Sequence, residues 1–188
     1  MNLLQCSLLL TSNFSDDPLF QYSFQGTDQQ RHRGMEAYFN AALDYCLTEG
    51  EVILAPGNAG VLAWIPGTVF PPHIDPFKMT GQPAYVLEAW ERFNTHEQTP
   101  EALISQLAKN FAYIWLLAVD FSVRGRGYGK WLLDSCAEQA REAGLQELWL
   151  SSENEKSLGF YEKAGFTVAA SAEAASGLTT YVLTKSLG

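Results

Sequence analysis

Three glycines and three basic side chains lie within one seven-residue stretch, Arg124 to Lys130. An apolar run ends just before it at Val119, and a helical pattern begins near Gly127. A strand that feeds a turn and then opens into a helix presents unpaired backbone N–H groups at the positive end of the helix dipole. Because glycine lets such a backbone approach a bulky anion closely, this stretch predicts a phosphate or pyrophosphate site, ahead of a plain structural connector.

The elements around this stretch predict a strand–helix–strand unit. Residues 111–119 are apolar on both faces, as in a central strand that is covered on each side. A helix is predicted from about Gly127 to Ala143, where Gly144 ends it. The elements that follow are a strand at 145–151, a helix opened by a capping box at Ser152-Glu153-Asn154-Glu155 and ending near Ala164, and strands at 166–170 and 179–184.

The first third of the chain predicts helices and then a hairpin. A weak helix is expected over 1–13 and a periodic one over 28–48, and residues 51–55 and 60–65 flank a turn. Together with the later elements, this order predicts a mixed α/β fold, in which helices flank a central mixed sheet. A length of 188 residues fits one domain, 1–188.

The segment 66–110 predicts an insertion or lid within that domain. It begins with a proline-rich loop, and two short helices are expected after it, the second with Thr99 as N-cap and Pro100 at its first position. We interpret the segment as the pocket for the acceptor of a reaction, because it is rich in aromatic side chains. The alternative, that these aromatics only cap the core, stays open. They are Phe70, Phe77, Tyr85, Trp90 and Phe93.

Composition excludes several classes of function. The net charge is −9, from 12 basic and 21 acidic residues, which argues against a nucleic-acid surface. The three cysteines are far apart and lack metal-ligand spacing, so we expect buried thiols, a reducing compartment and no metal. No segment is long enough to span a membrane. A cytoplasmic protein without membrane or nucleic-acid partners is therefore expected.

A longer pattern extends from the glycine-rich stretch. Arg124-x-x-Gly127-x-Gly129 follows a strand, Asn154 comes a helix and a strand later, and Tyr161 precedes Glu162-Lys163-Ala164-Gly165-Phe166. This pattern resembles the GNAT superfamily of N-acetyltransferases, specifically over residues 112–170. The family's usual first strand has no clear counterpart in the first 65 residues.

The resemblance implies a bound acyl-coenzyme A, most often acetyl-CoA, and transfer of its acetyl group to a primary amine of a small molecule or peptide. It implies that backbone groups around Leu117 and Val119 hold the pantetheine arm and polarise the thioester carbonyl. Asn154 would contact the pantetheine, and Tyr161 would lie beside the sulfur. The residues implied at the pyrophosphate are Arg124, Gly125, Arg126, Gly127, Tyr128, Gly129 and Lys130.

The chemistry of Tyr161 is consistent with a catalytic role. Seven residues make about two helical turns, so Asn154 and Tyr161 share one face of a helix. Aminolysis of a thioester expels a thiolate, whose conjugate acid has a pKa of about 8.5. A tyrosine with a pKa of about 10 stays protonated at neutral pH and can supply that proton. The alternative is a core aromatic whose hydroxyl reaches solvent.

The sequence does not identify the base that deprotonates the amine. Many members of the family place a carboxylate on the central strand, but residues 111–119 contain none. Histidine titrates near neutrality, yet the sequence places neither His73 nor His96 beside a substrate. The conceivable bases are Asp120, His73, Asp75, Glu88, Glu91, His96 and Glu153.

Two rival functions have other sequence requirements. A dinucleotide-binding oxidoreductase needs Gly-x-Gly-x-x-Gly, whereas the third glycine here comes one position early, and Trp131 stands where a phosphate-loop NTPase needs Ser or Thr. A non-catalytic domain that senses acyl-CoA or mediates an interaction stays open, because the central strand lacks a carboxylate. The sequence also leaves both a monomer and a homodimer open.

Overall fold

A computed structural model describes residues 2–74 and 81–188; Asp75 and Phe77, which the sequence analysis singled out, lie outside the described residues. The helices are α1 (Leu3–Phe14), α2 (Pro18–Ser23), α3 (Asp28–Glu49), α4 (Ala84–Leu107), α5 (Tyr128–Glu142) and α6 (Glu155–Lys163). The strands are β1 (Glu51–Leu54), β2 (Gly60–Pro66), β3 (Phe111–Val119), β4 (Glu147–Ser152), β5 (Thr167–Glu173) and β6 (Thr179–Ser186).

The strands form one six-stranded mixed sheet in the order β1-β2-β3-β4-β6-β5. Strand β2 runs antiparallel to both β1 and β3, β3 and β4 are parallel, and β6 runs antiparallel to both β4 and β5. The predicted strand–helix–strand unit is therefore confirmed as β3-α5-β4, and so is the mixed α/β fold. Residues 2–50 contain helices and no strand, so the sheet starts at β1.

Helices cover both faces of the sheet because its central strands alternate buried side chains between two cores. In β2, Val61 and Ile65 join a core with α1 to α4, while Leu62 and Trp64 join a second core with α5. The first core holds many aromatic rings, including Phe20 and Tyr38. No helix in the described part of the chain is both long and apolar enough to cross a membrane.

Strand β3 contains a bulge that the sequence analysis did not predict. Ala63 of β2 pairs with Leu116 and the next residue, Trp64, pairs with Ile114, so Trp115 is the extra residue. Pairing between β3 and β4 ends at Tyr113, two residues before the bulge. A bulge bends its strand and increases its twist. Strands β3 and β4 are therefore paired at one end only, and among residues 2–74 and 81–188 no strand pairs with the second half of β3 on that side.

The prediction of two short helices within 66–110 is wrong for residues 81–110, where the structure has the single helix α4. Thr99 is not an N-cap, and Pro100 lies inside the helix. Proline costs a helical hydrogen bond because it lacks an N–H. The buried face continues across it with helical spacing through Phe93, Pro100 and Ile104, so tertiary packing outweighs the local preference.

The capping box predicted at 152–155 is also wrong, because α6 starts two residues later. Its N-cap is Asn154, whose side-chain oxygen accepts from the Lys156 N–H at 3.2 Å. Ser152 still belongs to β4, and its hydroxyl accepts from the Asn154 N–H at 3.2 Å. An asparagine is as good an N-cap as a serine, so sequence preference alone could not choose between them.

Gly50 provides a test of how tightly α3 and the sheet pack. A methyl group at Gly50 would lie 2.1 Å from the Trp64 carbonyl oxygen and 3.0 Å from Ile65 Cα. Because backbone atoms cannot move aside cheaply, we expect Gly50→Ala to lower the free energy of unfolding by about 2–3 kcal/mol. The control is Gly159→Ala inside α6, where nothing lies within 4 Å and a gain of up to about 1 kcal/mol is expected. Equal free energies of unfolding for the two variants, measured in denaturant, would contradict this packing.

Candidate active site

A cleft of about 1170 Å³ opens where β3 and β4 diverge. It is bounded by β3, the ends of β4, the starts of α2 and α5, and one face of α6. Every site residue predicted from the sequence lines this cleft except Arg126, which is exposed outside it. The predicted residues that line it are Leu117, Val119, Arg124, Gly125, Gly127, Tyr128, Gly129, Lys130, Asn154 and Tyr161.

The amino end of α5 presents open hydrogen-bond donors to the cleft. Its N-cap is Gly127, which has a positive φ of 87° and offers no side chain to cap the helix. Gly125 also has a positive φ, of 78°. Within the described residues, no acceptor pairs with the backbone N–H groups of residues 127–130. These four donors add to the positive end of the helix dipole, an arrangement that suits an anion.

Two basic side chains of this turn, Arg124 and Lys130, are engaged with the protein itself. The Arg124 guanidinium lies 3.7 Å from the centre of the Phe121 ring and donates to Asn13 Oδ1 at 2.6 Å. Lys130 forms an exposed ion pair with Asp134 one turn along α5. The backbone donors are thus the free groups at this end of the cleft, and the cations contribute charge around them.

The second half of β3 lines the middle of the cleft. Leu117 and Val119 are half-buried, and their strand has lost its pairing with β4 beyond Tyr113. An unpaired strand edge exposes backbone N–H and C=O groups that can pair with an extended ligand.

Helix α6 brings Asn154 and Tyr161 to the cleft, as their spacing predicted. Tyr161 is half-buried, and its ring packs against Phe160 and Phe166 with centroids 5.1 and 5.9 Å away. Burial raises the pKa of its hydroxyl, and the charges of Asp17 and Glu153 raise that pKa further. Tyr161 therefore stays protonated at neutral pH.

Carboxylates that the sequence analysis missed line the same cleft. Asp17 caps α2 by accepting from the Leu19 and Phe20 N–H groups, and burial together with the charge of Glu153 raises its pKa to about 6. Glu97 on α4 is half-buried, and burial and the nearby carboxylates raise its pKa well above the ordinary value. The cleft thus has an acidic region as well as a donor-rich end.

His96 and Glu153 lie at this acidic region and are held by their neighbours. His96 is fully buried, and its Nδ1 lies 2.7 Å from the Ser176 hydroxyl. Glu153 accepts a hydrogen bond from the Thr180 hydroxyl at 2.7 Å. The two side chains approach to 3.1 Å, between His96 Nε2 and Glu153 Oε1. Both were among the conceivable bases, and the structure brings them together.

The other conceivable bases within the described residues lie elsewhere. His73, Glu88 and Glu91 are exposed and do not line the cleft. Asp120 also lies outside it, and hydrogen bonds from Ser122 lower the pKa of its carboxyl. A lowered pKa makes Asp120 a weak proton acceptor.

Of the aromatics in 66–110, only Phe93 lines the cleft among the residues that the structure describes. Phe70 packs on Phe111 and Tyr113, and Trp90 packs on Tyr38. Capping of the core therefore accounts for Phe70 and Trp90. The aromatic lining of the acidic region comes mainly from other elements, which include Phe14, Tyr38, Tyr113 and Trp115.

The sequence model of the acetyltransferase (GNAT) family matches residues 84–166, from the start of α4 to the start of β5. This range contains the bulged strand, the uncapped helix and both α6 residues. Over these residues the chain is similar to the GNAT family. A search among proteins of curated function finds no significant match.

Solved structures share the GNAT fold over nearly the whole chain. Histone acetyltransferase HPA2 and related acetyltransferase from Corynebacterium glutamicum is 19% identical, with a TM-score of 0.67 over 97% of this chain and 90% of that one. Arylalkylamine N-acetyltransferase 2 from Aedes aegypti is 16% identical, with a TM-score of 0.58 over 97% and 94%. At these identities the likeness concerns the fold.

Some matches are shorter. Ard1 from Thermoplasma volcanium is 28% identical over 40% of this chain, with a TM-score of 0.37. This chain spans about half of that protein, 54% of its length.

Glu101, one turn beyond Glu97 on α4, provides a test of burial beside the site. Burial raises the pKa of its carboxyl from 4.5 to about 7. The folded state therefore binds the proton more tightly, and this contribution to stability is full below pH 4.5 and lost as the pH rises through 7. We expect the free energy of unfolding of Glu101→Gln to exceed that of the parent at pH 8 by about 1–2 kcal/mol, after allowance for solvent screening. At pH 4.5 the two free energies should be equal.

The measurement is urea unfolding of both proteins at the two pH values. Glu88→Gln, an exposed carboxylate on the same helix, is the control and should follow the parent at both. A constant difference between Glu101→Gln and the parent across this range would contradict the burial argument.

Proposed function

We propose that this protein transfers an acetyl group from acetyl-CoA to a primary amine of a small molecule or peptide. The observation that carries the proposal is the uncapped amino end of α5, where four N–H groups without an acceptor in the described part of the chain lie at a cleft between diverging strands. A diphosphate offers acceptors that match such donors in number and charge.

The size and shape of the cleft support a long cofactor. Its volume of about 1170 Å³ exceeds the range of about 300–1,000 Å³ for ordinary small-molecule pockets. The donor-rich end at Gly127, the open edge at Leu117 and Val119, and Tyr161 all line this one cleft. Coenzyme A has a diphosphate, an extended amide-containing arm and a thiol in that order, so the residues present fit the cofactor.

Acetyl-CoA supplies an acetyl group activated as a thioester, which an amine can attack directly. In our proposal, the backbone of residues 127–130 holds the diphosphate, and the open edge of β3 pairs with the amides of the pantetheine arm. A backbone N–H near Leu117 or Val119 polarises the thioester carbonyl, because a donor aimed at developing negative charge stabilises the transition state.

Tyr161 serves as the proton donor to the departing thiolate. Its hydroxyl keeps its proton at neutral pH, because burial and two nearby carboxylates raise its pKa. A group that is protonated throughout the working range can act as an acid without a separate protonation step. The carboxylates of the acidic region line the same cleft as Tyr161, so the acceptor amine and the departing thiol would be bound in one cleft.

Gly127→Ala tests the binding of the diphosphate by backbone groups. Alanine at a positive φ is strained by about 1–2 kcal/mol, and its methyl group would alter the turn that aims the donors. We expect the Kd for acetyl-CoA, measured by calorimetry, to rise at least tenfold. Gly144→Ala is the matched control, since Gly144 also has a positive φ, of 76°, but follows the far end of α5. Equal Kd values for the two variants would contradict the proposal.

Tyr161→Phe tests the proton donor. Removing the hydroxyl leaves the ring packing intact, so we expect kcat for thiol release to fall at least tenfold while the Kd for acetyl-CoA changes less than twofold. Tyr85→Phe on α4, which does not line the cleft, should leave both values unchanged. A loss that fell on the Kd, with kcat retained, would show that Tyr161 binds the cofactor without donating a proton.

A further inference from the structure

Two buried polar side chains, His96 and Glu153, face each other without forming a hydrogen bond. Their side chains are 0% and 7% exposed, and His96 Nε2 lies 3.1 Å from Glu153 Oε1. That distance is short enough for a hydrogen bond, yet Nε2 has no hydrogen-bond partner among the described residues. The ring nitrogen must therefore point away from the line that joins it to Oε1. Because buried polar atoms are normally paired, this arrangement points to a ligand next to both atoms.

The second nitrogen of the same imidazole is held by Ser176. Nδ1 lies 2.7 Å from the Ser176 hydroxyl oxygen, which also accepts from the Leu178 N–H at 3.1 Å. When Nδ1 carries the ring proton and donates it to this oxygen, Nε2 has a free lone pair. Histidines that bind metals have this arrangement, since their other ring N–H usually donates to an oxygen that fixes the tautomer and orients the ring.

The distances between the ligand atoms fit a single metal ion. Zn–N and Zn–O bonds are about 2.1 Å long, so ligand atoms that lie 3.1 Å apart make an angle of about 95° at the ion. The Nε2 lone pair would then point at the ion and away from Oε1, which agrees with the missing hydrogen bond.

Glu97 supplies a third ligand from the same helix as His96. One ligand atom from each of His96, Glu97 and Glu153 lies within 4.8 Å of the other two. Two ligands of one zinc ion are at most about 4.2 Å apart. A side-chain adjustment of well under about 1 Å therefore brings Glu97 to the ion.

We propose that His96, Glu97 and Glu153 bind a divalent transition-metal cation such as Zn²⁺. Imidazole nitrogen and carboxylate oxygen are ligands that this ion takes in proteins. The sequence analysis expected no metal, because the cysteines lack metal-ligand spacing. The proposed site uses no cysteine, and its ligands come from α4 and from the residue that follows β4, which are far apart in the chain. The acetyl transfer proposed above does not require this ion.

The charges around the three ligands favour a cation. Three other carboxylates lie close enough to act on the charge of Glu97, and they are Asp17, Glu101 and Glu153. In the described part of the chain, no Lys or Arg forms an ion pair with Glu97 or Glu153. A divalent cation would compensate this concentration of negative charge.

Thr180 and Ser176 are positioning residues for the two best-placed ligands. The Thr180 hydroxyl is buried and donates to Glu153 Oε1 at 2.7 Å, as Ser176 contacts the His96 ring. Ser176 lies in the turn between β5 and β6, and Thr180 lies on β6. Partners of this kind hold metal ligands in the orientation that the ion needs.

The position of the site gives the ion a way in and an effect on stability. Glu97 and Glu153 line the cleft, whereas His96 lies buried behind them, so an ion can enter from the cleft. A bound ion would join α4 to the start of α6. Because a ligand that binds only the folded state stabilises it, Zn²⁺ should raise the Tm of the protein.

The experiment is a calorimetric titration of the full chain with ZnCl₂, after metal has been removed with a chelator. We expect one Zn²⁺ per chain and a higher Tm in its presence. His96→Gln and Glu153→Gln each remove one ligand and should raise the Kd for Zn²⁺ at least tenfold. The controls are His73→Gln and Glu155→Gln, which change an exposed histidine and an exposed carboxylate outside the site and should keep the parent Kd.

The Tm of each variant without metal shows whether it folds. Glu153→Gln keeps the shape of its side chain and decides the matter if His96→Gln does not fold. X-ray absorption of the zinc-loaded parent should show nitrogen and oxygen ligands at about 2.0–2.2 Å. The proposal is overturned if the parent does not bind Zn²⁺, or if it binds through sulfur. It is also overturned if Glu153→Gln leaves the Kd unchanged, which would show an adventitious ion only.

Discussion

Four backbone N–H groups at the amino end of α5 have no partner within the described chain, and the account of this protein depends on them. They are open because the turn before the helix supplies glycines at residues 125 and 127, both with positive φ, and no capping side chain. A helix end of this kind is stable when a ligand provides the missing acceptors. Arg124 and Lys130 of the turn already contact the protein, so the backbone is the specific element.

The bulge at Trp115 determines what lies beyond that helix end. It follows the last pair between β3 and β4, and the two strands separate from there. The separation leaves a free strand edge in the middle of the sheet, which an extended ligand can pair with. Without this separation, β3 and β4 would pair along their whole length, and the amino end of α5 would lie over a packed core. The turn and the bulge therefore act together. The turn provides donors for an anion, and the bulge opens the space for the rest of the ligand.

Much of the fold could be predicted from the sequence, because its signals are local. The apolar run of β3, the period of α3 and the glycine after α5 each depend on neighbouring residues, and each prediction is confirmed. The single helix α4 could not be predicted, since the buried face that carries it across Pro100 is formed by tertiary contacts. The bulge could not be predicted from the sequence either, because Trp115 and its neighbours suit a regular strand equally well.

The residues of the candidate site could likewise be predicted from the sequence only in part. The glycine-rich turn, Asn154 and Tyr161 have fixed spacings, and the structure brings them to one cleft. The acidic region joins residues from α2, α4 and the end of β4, which are far apart in the chain. Neither Asp17 nor Glu97 was predicted as a site residue from the sequence. Only the burial of these carboxylates marks them as a group, and burial is a property of the folded chain.

A crystal structure of the full chain with bound coenzyme A tests the central claim most directly. We predict that oxygen atoms of the diphosphate lie within about 3.2 Å of the backbone nitrogens of residues 127–130, with the thiol end directed along β3 towards Tyr161. A diphosphate bound elsewhere, with no contact to the backbone nitrogens of residues 127–130, would contradict it.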